Sequence, residues 1–429
     1  MPVHTNEPEP SLASQSIARR AIGELRGSSV GAFAAGTLVY QVGRLALSLV
    51  AARMLGPEVF GDWVLIMLLV VYLNATGLGV TNGAGREIPY LTGADRGPEA
   101  TRVADVASAV TLLSGLAAGF AAAGLAALLL GGHLDGTSLV LVAVAAALQH
   151  PFLLEQVLFR SWFAFRQAAL QLSVLGIVVL ASGLALVGYG VDGLLISQIV
   201  TYGVAITLGV KFLPYVPRPR WQMQIVRPLV SVGFPIMLAG LMYGLLTTLD
   251  RWLVATFLER ADVGYYGLVG IVLSGLLLVP QLLAQQFYPR MAFIYGKGSS
   301  RVELLALARL QGLIAGAAVA VVAVSIAVLA LVAVPIALPD YRPSLMPLAI
   351  ALVGVVAYAF GSGFGNLLNT VGAHRRFLGI QTVALLVNVG LAAGLLALGF
   401  GLEAVAVAST VGMALYSMML YRTAAAAAS

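Results

Sequence analysis

The sequence predicts an all-α polytopic membrane protein of about twelve transmembrane helices, set out as two six-helix lobes related by an internal repeat. Three observations carry this. Of the 429 residues, 60% are hydrophobic and only 10% charged, where a soluble domain carries roughly a quarter charged residues. Apolar runs of about 20 residues, the length that crosses a hydrocarbon core, recur throughout with short loops between them. The second half of the chain also echoes the first.

The expected spans are 30–55, 62–86, 103–131, 137–159, 167–188, 192–213, 229–257, 263–288, 303–334, 344–369, 376–398 and 402–421. Ahead of them, 1–29 reads as a polar tail with no short apolar core and cleavage site, so no signal peptide is expected. Spans 1–6 make an N-lobe, 30–213. The segment 214–228, "PYVPRPRWQMQIVRP", holds four prolines and three arginines and reads as the linker between lobes. Spans 7–12 make a C-lobe, 229–422, followed by a short tail, 423–429.

Basic residues set the orientation. With the N-terminus on the cytoplasmic side, 19 Lys and Arg fall in cytoplasmic segments or at cytoplasmic helix ends, against three (Arg53, Arg260, Arg342) on the other side. That asymmetry is the positive-inside pattern, and it places both termini in the cytoplasm. The net charge of +6 is spread between apolar runs rather than gathered in a patch, which argues against nucleic acid.

The repeat runs at an offset of 203: Tyr40 with Tyr243, Ala52 with Ala255, Leu55 with Leu258, Gly61 with Gly264 and Gly93 with Gly296. It drifts to 209 at "FRQAALQ" (from Phe165) against "HRRFLGIQ" (from His374), and to 211 at "YGVDGLLIS" against "FGLEAVAVA". Six spans per half is an even number, so both halves enter the membrane in the same sense, as in transporters built from parallel repeats.

Ionisable groups inside spans are the first functional candidates, because each costs roughly 2.5–3.5 kcal/mol at mid-bilayer on insertion scales. Arg44 lies eleven residues before Leu55, about 16 Å from the outer end of span 1. It shares a face with Tyr40 and Ser48. Asp250 lies at similar depth in span 7, on a stripe with Tyr243 and Thr247. Its neighbour Arg251 points about 100° away, so the two cannot simply neutralise one another; Arg251 either snorkels to the interface or pairs elsewhere. In span 4, "LQHPFLLEQVLFRSW" puts Gln149, Gln156 and Arg160 on one face and Glu155 on another. Its His150-Pro151 step is expected to kink the helix and free backbone groups to line a cavity. Gln285 in span 8 and Asn366 and Asn369 in span 10 are either cavity-lining or inter-helix hydrogen bonds. Arg86 and Arg290, at cytoplasmic helix ends, are topology anchors and candidate entrance cations for a phosphate.

Much is excluded. The chain has no cysteine and four scattered histidines, so no thiolate or His-based metal site is expected. No Walker loop, Asp-x-Asp pair, Gly-x-Ser-x-Gly elbow or long extramembrane segment is present, so neither an ATP-driven machine nor an enzyme is expected. No cofactor is expected.

The motifs then resemble a family. Arg53 to Gly61, "RMLGPEVFG", comes after span 1; Gly77 to Gly79 and Arg86-Glu87 mark span 2; Asp250-Arg251 marks span 7, and Val263 to Tyr266, "VGYY", the turn after it. Together they resemble the Wzx-type polysaccharide biosynthesis flippases of the multidrug/oligosaccharidyl-lipid/polysaccharide exporter superfamily. The resemblance implies two six-helix lobes forming a V around a central cavity with alternating access. It implies transport of an undecaprenyl-diphosphate-linked glycan across the bacterial cytoplasmic membrane, with membrane lipids around it and glycosyltransferases or a glycan polymerase as further partners. Arg44 and Arg251 would meet the diphosphate, and tyrosines and amides the sugars. Asp250 or Glu155 would bind a coupling ion, unless the membrane potential drives the bound charge directly. The rival readings are a drug/cation antiporter of the same superfamily and a non-transporting partner in envelope-glycan assembly.

Overall fold

Helices account for almost all of the chain because, in a segment surrounded by hydrocarbon, the backbone must satisfy its own hydrogen bonds. The structure, a computed structural model, describes residues 28–296 and 301–428. The expected N-terminal tail, with Arg19, Arg20 and Arg26, lies outside the described residues, as do Lys297 and the side chain of Gln285. Among the described residues there is no strand.

Among the described residues twelve α-helices run in order: α1 Ser28–Tyr72, α2 Val80–Gly93, α3 Gly97–Leu130, α4 Gly136–Ser161, α5 Phe165–Leu186, α6 Gly190–Phe212, α7 Met223–Phe257, α8 Arg260–Gly296, α9 Arg301–Ala337, α10 Leu345–Thr370, α11 His374–Ala397 and α12 Leu402–Ala428. Among the described residues ten apolar segments are long enough to cross a membrane, and two of them run to 47 and 48 residues. The first, Gly31–Gly77, is broken at Gly56, which adopts φ 73° inside α1. Glycine takes that conformation without a Cβ penalty, and Pro57 then starts the next helical stretch with its preset φ. The second, Phe165–Phe212, is broken by a 3-10 turn at Val187–Tyr189. Split at these breaks, the ten segments become twelve apolar stretches among the described residues.

Two units result. One holds the chain up to Leu47 together with Ile66–Leu238, the other Ser48–Leu65 together with Ala239 onward. The middle of α1 therefore belongs with the later helices, and α7 passes from the first unit into the second. This grouping differs from a plain division at a linker, since the 18 residues 48–65 are exchanged.

Within the first unit, α1 lies on α5 through small residues. A side-chain carbon at Gly36 would collide with the backbone of Ala169, and one at Gly43 with that of Gly176. Small residues seven apart let two membrane helices approach to backbone contact where apolar area alone favours lipid equally. The same device joins α2 to the start of α7, where Gly79 meets Gly233 and Gly83 meets Leu229. Asp135 caps α4 by accepting the Ser138 N–H at 2.7 Å, which holds its carboxyl below the usual aspartate range.

The linker is shorter than expected, because α7 already begins at Met223. It is strapped to α3. Asp105, buried, accepts the Tyr215 hydroxyl and the Arg218 N–H, each at 2.7 Å, and its carbonyl accepts the Arg220 N–H at 3.2 Å. Burial first, and then Asp105, pushes the Tyr215 phenol up to about 12, so it stays a donor at any physiological pH. Trp162 packs edge-on against the same tyrosine at 5.7 Å.

Within the second unit, α10 packs against α8, α9 and α12 around a core that includes Leu246, Val269, Leu304, Val355 and Tyr416. The exchanged segment is fastened there by an ion pair between Asp62 and Arg260, with Arg260 Nε donating to Asp62 Oδ1 at 3.0 Å. Phe60 and Tyr265 pack edge-on against Tyr341, at 6.2 and 5.9 Å.

Candidate functional site

On α1 the first unit carries an exposed cation on an aromatic support. Arg44, on α1, is exposed, and its guanidinium lies 5.7 Å from the centroid of the buried Tyr40 ring one turn earlier. Tyr40 leans on Phe152 of α4 at 6.4 Å, and Phe152 on Tyr202 of α6 at 5.2 Å. A guanidinium on an aromatic face is held by the ring quadrupole while its N–H edges remain free for a second, anionic partner. The i, i+4 spacing read from sequence is thus realised as a cation–aromatic pair.

Around α4 the structure departs from the sequence reading. Glu155 and Gln156 do not diverge in their bonding; both meet Gln171 of α5. Gln156 Nε2 donates to Gln171 Oε1 at 2.6 Å, and Gln171 Nε2 donates to Glu155 Oε2 at 3.2 Å and to the Ala205 carbonyl of α6 at 2.8 Å. Arg160 is exposed and turns back to the Gln156 carbonyl of its own helix at 3.0 Å. Gln149 is buried and its Oε1 has no partner among the described residues.

The carbonyl that Pro151 frees meets protein backbone. The proline sits inside an unbroken α4, and the carbonyl of Ala147, which a residue with an N–H at position 151 would have bonded, instead faces Gly115 of α3. A side-chain carbon at Gly115 would stand 2.7 Å from that oxygen. His150 is engaged on both ring nitrogens, with the Ala146 carbonyl and the Thr76 hydroxyl, each at 3.1 Å.

In the second unit, the two neighbouring charges on α7 are both enclosed: Asp250 is 3% exposed and Arg251 6%. They form no ion pair. Asp250 Oδ1 accepts the Arg251 backbone N–H at 2.9 Å. The Tyr266 phenol of α8 faces Asp250 and Ser409 of α12 without closing a well-formed hydrogen bond. The Arg251 guanidinium lies flat over Gly270 of α8, where any side chain would collide with it. Snorkelling is therefore not what Arg251 does: the gap left by one glycine keeps it inside.

Tyr243 accepts a hydrogen bond from Gln281 Nε2 at 3.1 Å and packs against Tyr358, which stacks on Tyr416. Asn366 Nδ2 donates to the fully buried Gln311 Oε1 of α9 at 3.0 Å, and Asn369 contacts His374 at 3.3 Å. These two asparagines are thus inter-helix bonds, one of the alternatives their position allowed. Arg86 is exposed beside Glu87 at 3.6 Å, and Arg290 is exposed on α8.

Sequence reasoning missed Gln171, Gln311, Tyr266, Ser409 and Gly270. Each lies in an apolar span, and only the rotation of its helix brings it to a charge or amide on another.

Similarity to known proteins extends over most of the chain. A family model described as polysaccharide biosynthesis protein matches residues 50–292, more than half of the chain. Among solved structures, a multidrug resistance MATE family transporter of the MOP superfamily, in an inward-facing conformation, is similar at 15% identity, with TM-score 0.71, covering 91% of this chain and 94% of that one. The lipid II flippase MurJ, in an inward closed conformation, is similar at 15% identity, with TM-score 0.70 and coverage of 91% and 87%. A MOP superfamily transporter from Pyrococcus furiosus, reported with a binding pocket of reverse polarity, is similar at 14% identity, with TM-score 0.60 and coverage of 98% and 99%. No curated sequence matches the chain. These likenesses show the fold: a multi-pass α-helical membrane protein with the fold of MOP superfamily transporters.

Proposed function

The chain belongs to the polysaccharide biosynthesis protein family, and from that premise we propose that it flips a lipid-linked oligosaccharide. The cargo is a polyprenyl-diphosphate-linked glycan or a related envelope polysaccharide precursor. It moves from the cytoplasmic to the outer leaflet of the bacterial cytoplasmic membrane by alternating access, with both termini in the cytoplasm. The likeness to a lipid II flippase supports the same cargo class.

The observation that carries this reading is the opposite exposure of the intramembrane charges. Arg44 is exposed, whereas Asp250 and Glu155 are 3% and 8% exposed. An antiporter for organic cations needs a carboxylate that its cargo can reach. Here the reachable group is a guanidinium, suited to phosphate oxygens through directed N–H bonds. Arg44 meets the diphosphate, the buried Tyr40 ring supports its guanidinium, and the polyprenyl tail stays in the bilayer. Arg251, enclosed over Gly270, orders α7 against α8 rather than meeting cargo in this state. Arg86 and Arg290 receive the headgroup at the cytoplasmic side.

The test is a deletion strain examined for two phenotypes. Accumulation of lipid-linked sugars on the cytoplasmic side, with unchanged retention of a cationic dye, supports the flippase. Increased dye retention with normal envelope glycan supports the drug antiporter that the MATE likeness leaves as the second reading.

A further inference from the structure

Away from the charges on α1, α4 and α7, the second unit carries a pair of arginines on a small cavity. Helices α9 and α11 begin, and α10 ends, around a space of about 190 Å³ beside α12. Arg301, the first residue of α9, and Arg376, in the first turn of α11, line it, and both are exposed. The remaining side chains of the lining are aliphatic, among them the buried Leu304, Leu367 and Ala424. Among the described residues no carboxylate, amide or hydroxyl side chain lines it. An oligosaccharide would find neither room nor partners there, since sites for small molecules run to roughly 300–1,000 Å³. The space suits one phosphate and the carbons next to it.

The backbone adds to the positive character. At the end of α10 the last carbonyls are spent within the turn: Leu367 accepts the Val371 N–H at 3.0 Å, Leu368 the Ala373 N–H at 2.8 Å and Asn369 the Gly372 N–H at 3.3 Å. The start of α11 has no such closure, because its first turn is preceded by Ala373, which has no side chain to cap it. A helix start of this kind presents N–H groups without intrahelical acceptors and a partial positive charge. Two guanidiniums beside it supply directed donors for phosphate oxygens. Arg309, further along α9, stands apart from the cavity, with its guanidinium 5.9 Å from the centroid of the Tyr421 ring. A site with cations exposed and aliphatic groups buried fits an amphiphile. It also lies at helix ends, on the side that the basic residues assign to the cytoplasm, where basic pockets between spans take anionic headgroups.

We propose that this cavity holds the phosphate of an anionic phospholipid, at a site of its own apart from the cargo. The phosphate oxygens accept hydrogen bonds from Arg301 and Arg376, and the ester end of the lipid lies against the aliphatic lining. Bound there, the lipid ties the start of α9 to the turn between α10 and α11, so its occupancy stabilises the second unit. The site stands on the cavity and its two arginines, whatever the chain exports.

The test is native mass spectrometry of the full chain in detergent with dioleoylphosphatidylglycerol, joined to thermal unfolding in the same mixtures. Wild type should retain one more phosphatidylglycerol than the double variant Arg301→Gln with Arg376→Gln, whereas Arg309→Gln should match wild type. The lipid should raise the unfolding temperature of wild type by a few degrees and that of the double variant by less than half as much. Equal retention in wild type and the double variant overturns the proposal. Phosphatidylcholine retained as well as phosphatidylglycerol by wild type also overturns it, and that comparison needs no variant to fold. Arg376→Lys, which keeps the charge but loses the forked donor, should bind severalfold more weakly than wild type. Inorganic phosphate at equal concentration should leave the unfolding temperature unchanged; a rise equal to that from the lipid would make this a site for the free anion and overturn the lipid assignment. No glycan is present in any arm, so failure of the cargo assignment leaves the result readable.

Discussion

Gly61 and Gly264, 203 positions apart in the sequence, press against each other's helices in a reciprocal contact. A side-chain carbon at Gly61 would stand 2.6 Å from the Arg260 carbonyl oxygen and 3.0 Å from the Gly264 nitrogen, and one at Gly264 would overlap the Pro57 carbonyl. Pro57 and Arg260 are themselves 203 apart, so each glycine meets the repeat-equivalent of the other's neighbour. Both helical stretches begin here, one after the break at Gly56 and one at Arg260. The internal repeat is therefore a local two-fold contact as well as a likeness of sequence.

Gly61→Leu and Gly264→Leu should each destabilise the folded protein by overpacking, by about 1–3 kcal/mol. Because the two side chains would compete for one gap, the double variant should lose less than the sum of the single losses. Thermal unfolding in detergent measures both.

Gly270 gives the Arg251 guanidinium its space, so Gly270→Ala should lower the unfolding temperature sharply. Removing the obstacle, in the pair Gly270→Ala with Arg251→Ala, should recover most of that loss. Additive losses in the double variant would separate Arg251 from Gly270 and contradict the packing described for them.

Asp105→Ala should release the linker from α3, since it removes the acceptor of Tyr215 and Arg218 at once. Trypsin should then cut after Arg220, which Trp221 follows, several times faster than in wild type, with the helices otherwise intact. Unchanged cleavage would mean that the strap is held by Trp162 and its neighbours alone.

The all-helical fold and the placement of Arg44, Asp250 and Arg251 within long apolar helices were legible, because each depends only on reading along one helix. The pairings were not. Glu155 and Gln156 point apart on a helical wheel, yet the long amide of Gln171 reaches both, and nothing in span 5 marks that residue as their partner. Arg251 sits next to an aspartate in sequence but its surroundings are decided by a glycine on the following helix. Likewise, Pro151 announces a freed carbonyl, while only the approach of Gly115 determines that protein backbone rather than a cavity lies in front of it. The segment 48–65 that groups with the second unit is centred on the Gly56–Pro57 break, which the sequence marks as a family motif without showing which helices it will join.

The most direct test of the account is the envelope-glycan phenotype of Arg44→Ala in a strain lacking the native copy. The guanidinium is predicted to be required for the anionic cargo and dispensable for folding. Surface glycan should therefore be lost and lipid-linked sugars should build up on the cytoplasmic side, with the variant present in the membrane at its normal level, and Arg44→Lys should retain part of the export. Normal surface glycan from the Arg44→Ala protein would contradict the assignment of the exposed cation to the cargo.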